Sequence, residues 1–127
     1  MSFPFDPSHG PILVKAEVTG PDRSLALQLI LDTGATTSLL NDAVLLTLGY
    51  DLANVTDRVQ MTTGGQVISV LKVVLTRLTA LGGHRFGFPV LAHTLPVGAS
   101  VHGLLGLDFL RGVVLTVDFR SGGITLG

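Results

Sequence analysis

The sequence contains no cysteine, and only 13% of its residues are charged, against about 25% in a typical soluble domain. Without cysteine, the chain has no disulfide, no thiol nucleophile and no thiolate metal ligand. Its formal net charge of -1 provides no basic surface for nucleic acid or for an anionic membrane. We therefore expect no nucleic-acid partner, and any catalysis must rest on side chains other than a thiol.

Signals for membrane insertion and secretion are also missing. Charged residues such as Asp32, Lys72 and Arg77 interrupt the apolar stretches, so no transmembrane segment is predicted. Residues 1–7 contain neither a basic region nor a continuous apolar one, so no signal peptide is predicted. We expect a cytoplasmic or otherwise soluble protein without a membrane partner. For its large apolar fraction, 46% of the residues, burial against a partner is the simplest explanation.

The chain is rich in residues that favour short strands and tight turns. Its 127 residues fit one domain, with a loose Pro-containing start through residue 11. Many Val, Ile and Thr residues, interrupted by sixteen glycines, predict seven or eight strands, among them 12–18, 24–31, 66–70 and 72–78. Asn41 is a predicted N-cap for a helix that Gly49 ends, and a second short helix is predicted over 107–111. This pattern predicts an all-β barrel or sandwich.

One short motif could carry chemistry. Asp32-Thr33-Gly34 follows an apolar strand that ends at Leu31, so the strand places the acid while the glycine leaves room for a ligand. On its own, the tripeptide fits equally well an Asp that caps its own turn. Further along the chain come a glycine-tipped hairpin at 62–65 and an apolar segment at 103–110.

With these three elements in this order, the chain resembles the retropepsin-like aspartic proteases, the single-lobe relatives of pepsin, and their bacterial members in particular. The segment Asp32 to Ala35 resembles the catalytic loop, Thr62 to Gly65 resembles the flap tip, and Leu104 to Gly106 resembles the apolar-apolar-Gly element beside the loop. The resemblance covers residues 12–126, nearly the whole chain. It implies a closed, mostly antiparallel acid-protease barrel with one or two short helices.

The resemblance also implies an aspartic endopeptidase in which Asp32 has the acid and base roles and Thr33 and Gly34 fix the loop. Residues implied to contact the substrate are Ala35, Thr36, Thr62, Thr63, Gly64, Gly65, His102 and Leu104. His102 also fits an ordinary loop histidine. Retroviral members carry Asp where this chain has Thr36 and Arg where it has Leu107, so we do not expect their mode of binding the substrate ends.

A single Asp-Thr-Gly motif provides half of the required chemistry. Two carboxylates in contact can activate water and protonate a carbonyl oxygen, because only one of them ionises readily. The other acids are poorly placed, since Asp108 lies in a predicted helix and Asp118 in a predicted strand. The second Asp32 must then come from a second copy, which predicts a homodimer acting on a peptide or protein substrate.

Two other interpretations stay open. The chain could be a catalytically inactive retropepsin-fold module for dimerisation or peptide binding, because a fold does not guarantee an activity. It could also be a generic β-barrel in which Asp-Thr-Gly occurs by chance. No metal or other cofactor is expected, because the four histidines are widely spaced along the chain.

Overall fold

The computed structural model describes residues 1–95 and 100–127. In chain order, the strands of these residues are β1 (Phe3–Pro4), β2 (Leu13–Thr19), β3 (Ser24–Leu31), β4 (Leu39–Asn41), β5 (Arg58–Thr63), β6 (Gln66–Ala80), β7 (Gly83–His93), β8 (Gly103–Leu105), β9 (Leu115–Asp118) and β10 (Gly123–Leu126). The helices are α1 (Asp42–Thr47) and α2 (Leu107–Leu110), and a 3-10 turn covers Leu52–Asn54. None of the helices in this part of the chain is long and apolar enough to cross a membrane.

Six strands form a closed barrel. Their order around the ring is β2, β3, β8, β4, β7 and β6, and β6 pairs back with β2. The β3–β8 and β4–β7 pairs are parallel, whereas the other four neighbouring pairs are antiparallel. The predicted all-β, closed and mostly antiparallel barrel with short helices is confirmed.

The barrel core follows from the alternation of side chains along each strand. In β3, Leu27, Leu29 and Leu31 are buried on one face, and Leu75 of β6 and Leu105 of β8 meet them with no exposed surface. Burying one leucine side chain contributes about 1.5–3 kcal/mol relative to leaving it in water. Because side chains alternate along a strand, the residues next to these leucines point away from the core, to the outer face of the barrel.

Helix α1 begins and ends at the residues that the sequence indicates. The Asn41 side chain accepts a hydrogen bond from the Ala43 N–H at 3.2 Å, which satisfies one of the free donors of the first turn. The helix ends before Gly49, whose φ of 102° is readily available only to glycine. Val44 and Leu45 are buried in the core cluster, so the helix packs against the barrel with an apolar face.

Two parts of the chain differ from the sequence prediction. The predicted separate strands 66–70 and 72–78 are one continuous strand, β6, because Leu71, the single residue between them, is neither a Gly nor a Pro that could end it. The segment through residue 11, expected to be loose, contains β1, which pairs with β10. Its Phe5 is buried and packs edge to face on Phe119, with the ring centroids 5.4 Å apart.

Strands β1, β10 and β9 form a separate three-stranded sheet that joins the two ends of the chain. Asp118 closes its hairpin, because its carboxylate accepts hydrogen bonds from the Ser121 hydroxyl and from the backbone N–H groups of Ser121 and Arg120. The Ser121 hydroxyl, followed by these backbone donors, lowers the pKa of Asp118 below its ordinary value. All three strands of the terminal sheet come from the same chain.

Candidate active site

Asp32 is the first residue after β3, and the neighbouring strand fixes its backbone. Its N–H donates to the Leu105 carbonyl oxygen at 2.9 Å, which continues the parallel β3–β8 pairing. The Gly34 N–H donates to Asp32 Oδ1 at 2.9 Å, and the Ala35 N–H donates to the Asp32 carbonyl oxygen at 3.2 Å. The loop therefore holds the carboxylate in one orientation at the strand end.

The segment after β8 supports this loop from the other side. The Leu107 N–H donates to the Ala35 carbonyl oxygen at 2.8 Å. A Cβ added to Gly106 would lie 2.6 Å from the same oxygen and 3.2 Å from the Ser38 backbone nitrogen. The two segments therefore touch through backbone atoms, and Gly106 is required because no side chain fits between them.

Ser38 and Asp108 join the two segments through side chains. Ser38 is the only buried polar residue in the part of the chain that the structure describes, with 1% of its surface exposed. Its hydroxyl donates to Asp108 Oδ1 at 2.6 Å and accepts from the Gly106 N–H at 2.9 Å. The Ser38 N–H donates to Asp108 Oδ2 at 2.9 Å, and the Phe109 N–H donates to Asp108 Oδ1 at 2.9 Å. Both carboxylate oxygens of Asp108 are thus used in holding the loop.

Replacing Ser38 with Ala is expected to loosen the loop without removing any residue that lines the groove. The change leaves the buried Gly106 N–H without an acceptor, which should lower the free energy of unfolding by about 1–3 kcal/mol. A loop that is held less firmly should also lower kcat for the peptide hydrolysis that the sequence resemblance implies, by about tenfold. Denaturant unfolding and steady-state kinetics test both effects, with the exposed Ser24→Ala variant as control. Unchanged stability and kcat in the Ser38 variant would contradict this role.

A groove of about 710 Å³ opens beside the loop, between β5 and the face of the barrel that points away from the core. Most of the residues implied by the sequence lie along it. Those in the groove wall are Asp32, Gly34, Ala35, Thr36, Thr62, Thr63 and Leu104. Strand β5 pairs only with β6 among the described residues, so one of its edges is free above the groove. The arrangement leaves space for an extended chain between the hairpin and the barrel.

The tip of the hairpin formed by β5 and β6 does not touch the barrel. Gly64 and Gly65 have φ values of 56° and 79°, as a two-residue hairpin turn requires, and Thr63 pairs with Gln66 across them. A Cβ added to either glycine would meet nothing within 4 Å. These two residues lie outside the groove wall of a single chain, and the exposed Thr33 also lies outside it.

His102 lies apart from the groove, although its neighbour Leu104 lines it. The His102 N–H donates to the Gln28 carbonyl oxygen at 2.8 Å, and its ring nitrogen Nδ1 accepts from the Gln28 N–H at 2.9 Å. The His102 carbonyl oxygen accepts from the Asn41 N–H at 2.9 Å. These bonds extend the pairing of β8 with β3 and β4, so within one chain the histidine supports the barrel wall.

The charged residues of the groove wall are few. Asp32 is its only carboxylate in the described residues, and Lys72 and His93 are its only basic side chains. Lys72 and His93 are not suggested by the sequence motifs, because neither belongs to the loop, the hairpin tip or the apolar segment. Within residues 1–95 and 100–127, no group of three or more His, Asp or Glu side chains is arranged to hold a metal ion.

Comparisons with known proteins agree with this geometry. A search of curated proteins found no significant match. Among solved structures, a retropepsin-like aspartic protease from Rickettsia conorii is similar, with 16% sequence identity and a TM-score of 0.75 over 99% of this chain and 88% of that chain. The model of the aspartyl protease family matches residues 14–109, which include the Asp32 loop, the hairpin and Gly106. The chain therefore belongs to the aspartyl protease family and has the retropepsin-like fold.

Proposed function

We propose that the protein is an aspartic endopeptidase that is active as a homodimer. The observation that carries this proposal is the position of Asp32, whose carboxylate is fixed at a strand end in the wall of a groove of about 710 Å³. A carboxylate held by backbone donors beside an apolar groove is suited to acid and base catalysis on a bound chain. Thr33 and Gly34 are proposed to fix the loop.

The chemistry needs a second carboxylate. One ionised carboxylate accepts a proton from the attacking water, while a protonated partner donates to the carbonyl oxygen of the scissile bond. Asp108 cannot be this partner, because its two oxygens are bound to Ser38 and to the Phe109 N–H. A two-fold axis beside the loop would place Asp32 of a second copy opposite the first, so that two chains share one site.

The groove suits a peptide in an extended conformation. The free edge of β5 offers backbone donors and acceptors to a peptide lying beneath it. Leu39, Leu91 and Leu104 provide an apolar floor for alternate side chains. We propose that Ala35, Thr36, Thr62 and Thr63 contact the substrate, and that Gly64 and Gly65 cover it when the hairpin closes in the dimer.

Mixing active and inactive chains tests the shared site. Wild-type protein is expected to cleave peptides from a mixed library and to be inhibited by a pepstatin-type compound. When the Asp32→Asn chain is added in roughly ninefold excess and subunits exchange, wild-type activity should fall to about one tenth, since most wild-type chains then have an inactive partner. Adding the same amount of an unrelated protein serves as the control.

The possible results separate the alternatives. Activity that does not change on mixing, with subunit exchange shown by sedimentation of labelled chains, would overturn the shared site. Binding of library peptides without any cleavage between about pH 3 and pH 7 would favour the inactive peptide-binding module over the endopeptidase.

A further inference from the structure

Four groove residues form a row across neighbouring strands of the barrel. Lys72 of β6 pairs with Leu91 of β7, Leu91 pairs with Leu39 of β4, and Leu39 pairs with Leu104 of β8. Directly paired residues point to the same face of a sheet. All four line the groove, so the row runs from Leu104, in the strand beside Asp32, to a lysine at the far end.

The spacing of strands gives the length of this row. Neighbouring strands lie about 4.8 Å apart, so three steps place Lys72 about 14 Å from Leu104. An extended peptide rises about 3.3 Å per residue, so this distance corresponds to about four residues. A peptide that follows this row, with its scissile bond beside Asp32 at the Leu104 end, would therefore bring a side chain three or four residues from that bond to Lys72.

The Lys72 ammonium has no strong partner in the described residues. Its nearest carboxylate is Asp57, with Nζ and Oδ2 4.0 Å apart, and the two side chains are 38% and 64% exposed. Such a separated and exposed pair contributes little. His93 lies two residues beyond Leu91 on the same face of β7 and also lines the groove. Among the described residues, Asp32 is the only carboxylate in the groove wall, and it lies at the Leu104 end of the row.

We infer that Lys72 selects peptides with Glu or Asp three or four residues from the scissile bond. This inference rests on the proposed endopeptidase function. A substrate carboxylate lying between β5 and the barrel would be partly removed from water, where its attraction to the ammonium exceeds that of an exposed pair. Because the dimer is symmetric, each chain contributes one Lys72, and the preference should occur at matching distances on both sides of the scissile bond.

The experiment uses a neutral parent peptide that the wild-type protein cleaves. Glu, Gln or Lys is placed at each of the four positions on either side of the scissile bond, and kcat/KM is measured near pH 6, where a peptide glutamate is ionised. The wild type should prefer Glu over Gln by about fivefold at the third or fourth position, and this preference should weaken at high salt. Lys72→Met should bring the ratio of kcat/KM for the Glu and Gln peptides, both measured on that variant, to about one, and Lys72→Glu should favour Lys instead.

The chain offers a matched control, because its only other lysine is Lys15 in β2, outside the groove. Lys15→Met should keep the wild-type preference. Two results would overturn this inference, provided that the neutral parent is still cleaved. One is a preference for Glu that persists in Lys72→Met, and the other is a wild type with no preference for Glu at any position. Failure of the wild-type protein to cleave any peptide that could serve as the parent would instead contradict the endopeptidase function itself.

Discussion

Replacing Asp32 with Asn is expected to lower kcat for peptide hydrolysis by at least about a thousandfold. An amide cannot take a proton from water, and a dimer of the variant has no carboxylate at all in its shared site. The fold should not change, because Asn keeps an oxygen that can accept the Gly34 N–H bond now made to Asp32 Oδ1. The loss should therefore be confined to catalysis, with the affinity for a pepstatin-type inhibitor reduced less than kcat.

Three measurements on the Asp32→Asn variant separate chemistry from folding. They are kcat/KM on a cleaved library peptide, the melting temperature, and sedimentation to determine whether the variant remains a dimer. Asp42→Asn is a suitable control, because this carboxylate lies in α1, outside the groove, and its change should leave kcat within about twofold. Equal kcat in wild type and the Asp32 variant, each free of contaminating protease, would show that Asp32 has no part in the reaction.

The parts of the fold that depend on local sequence could be predicted. Strand β3 begins and ends where its alternating leucines do, and α1 follows Asn41, because a strand face and a helix cap are determined by neighbouring residues. The position of Asp32 at a strand end could be predicted for the same reason. Strands β1 and β8 could not, since two or three residues carry little periodicity and become strands only by pairing with distant segments.

In the candidate site too, the contacts between residues far apart in the sequence could not be predicted. Ser38 and Asp108 are 70 residues apart, and nothing in either local sequence indicates that one binds the other. Lys72 is placed in the groove by a chain of pairings through β7 and β4, which only the barrel topology provides. For His102, the sequence resemblance implies a contact with the substrate, but the structure places the residue outside the groove. Its ring nitrogen accepts a hydrogen bond from the Gln28 N–H, which the local sequence does not indicate.

Gly106→Ala is expected to reduce activity by at least about a hundredfold and to lower the free energy of unfolding by about 3 kcal/mol. The backbone conformation is not the cause, because Gly106 has φ −102° and ψ −169°, which any residue can adopt. The cause is space. A Cβ would lie 2.6 Å from the Ala35 carbonyl oxygen and 3.1 Å from the Thr37 carbonyl carbon. Backbone atoms cannot rotate away as a side chain can, so the loop or α2 must move.

A movement of this loop would displace Asp32, because the loop and the segment after β8 are joined by two backbone hydrogen bonds. The Leu107 N–H donates to the Ala35 carbonyl oxygen, and the Asp32 N–H donates to the Leu105 carbonyl oxygen. Gly83→Ala is the matched control, since the three atoms nearest to a Cβ there are Phe109 Cζ at 3.4 Å, the Ala80 carbonyl oxygen at 3.5 Å and Leu126 Cδ1 at 3.8 Å, which are ordinary contacts. Kinetics and denaturant unfolding of both variants separate the two cases. A Gly106 variant as active as the Gly83 variant would mean that backbone contact with β8 and α2 does not set the position of Asp32. In that case, the Ser38–Asp108 hydrogen bonds alone would have to hold the loop, and Ser38→Ala would become the more damaging change.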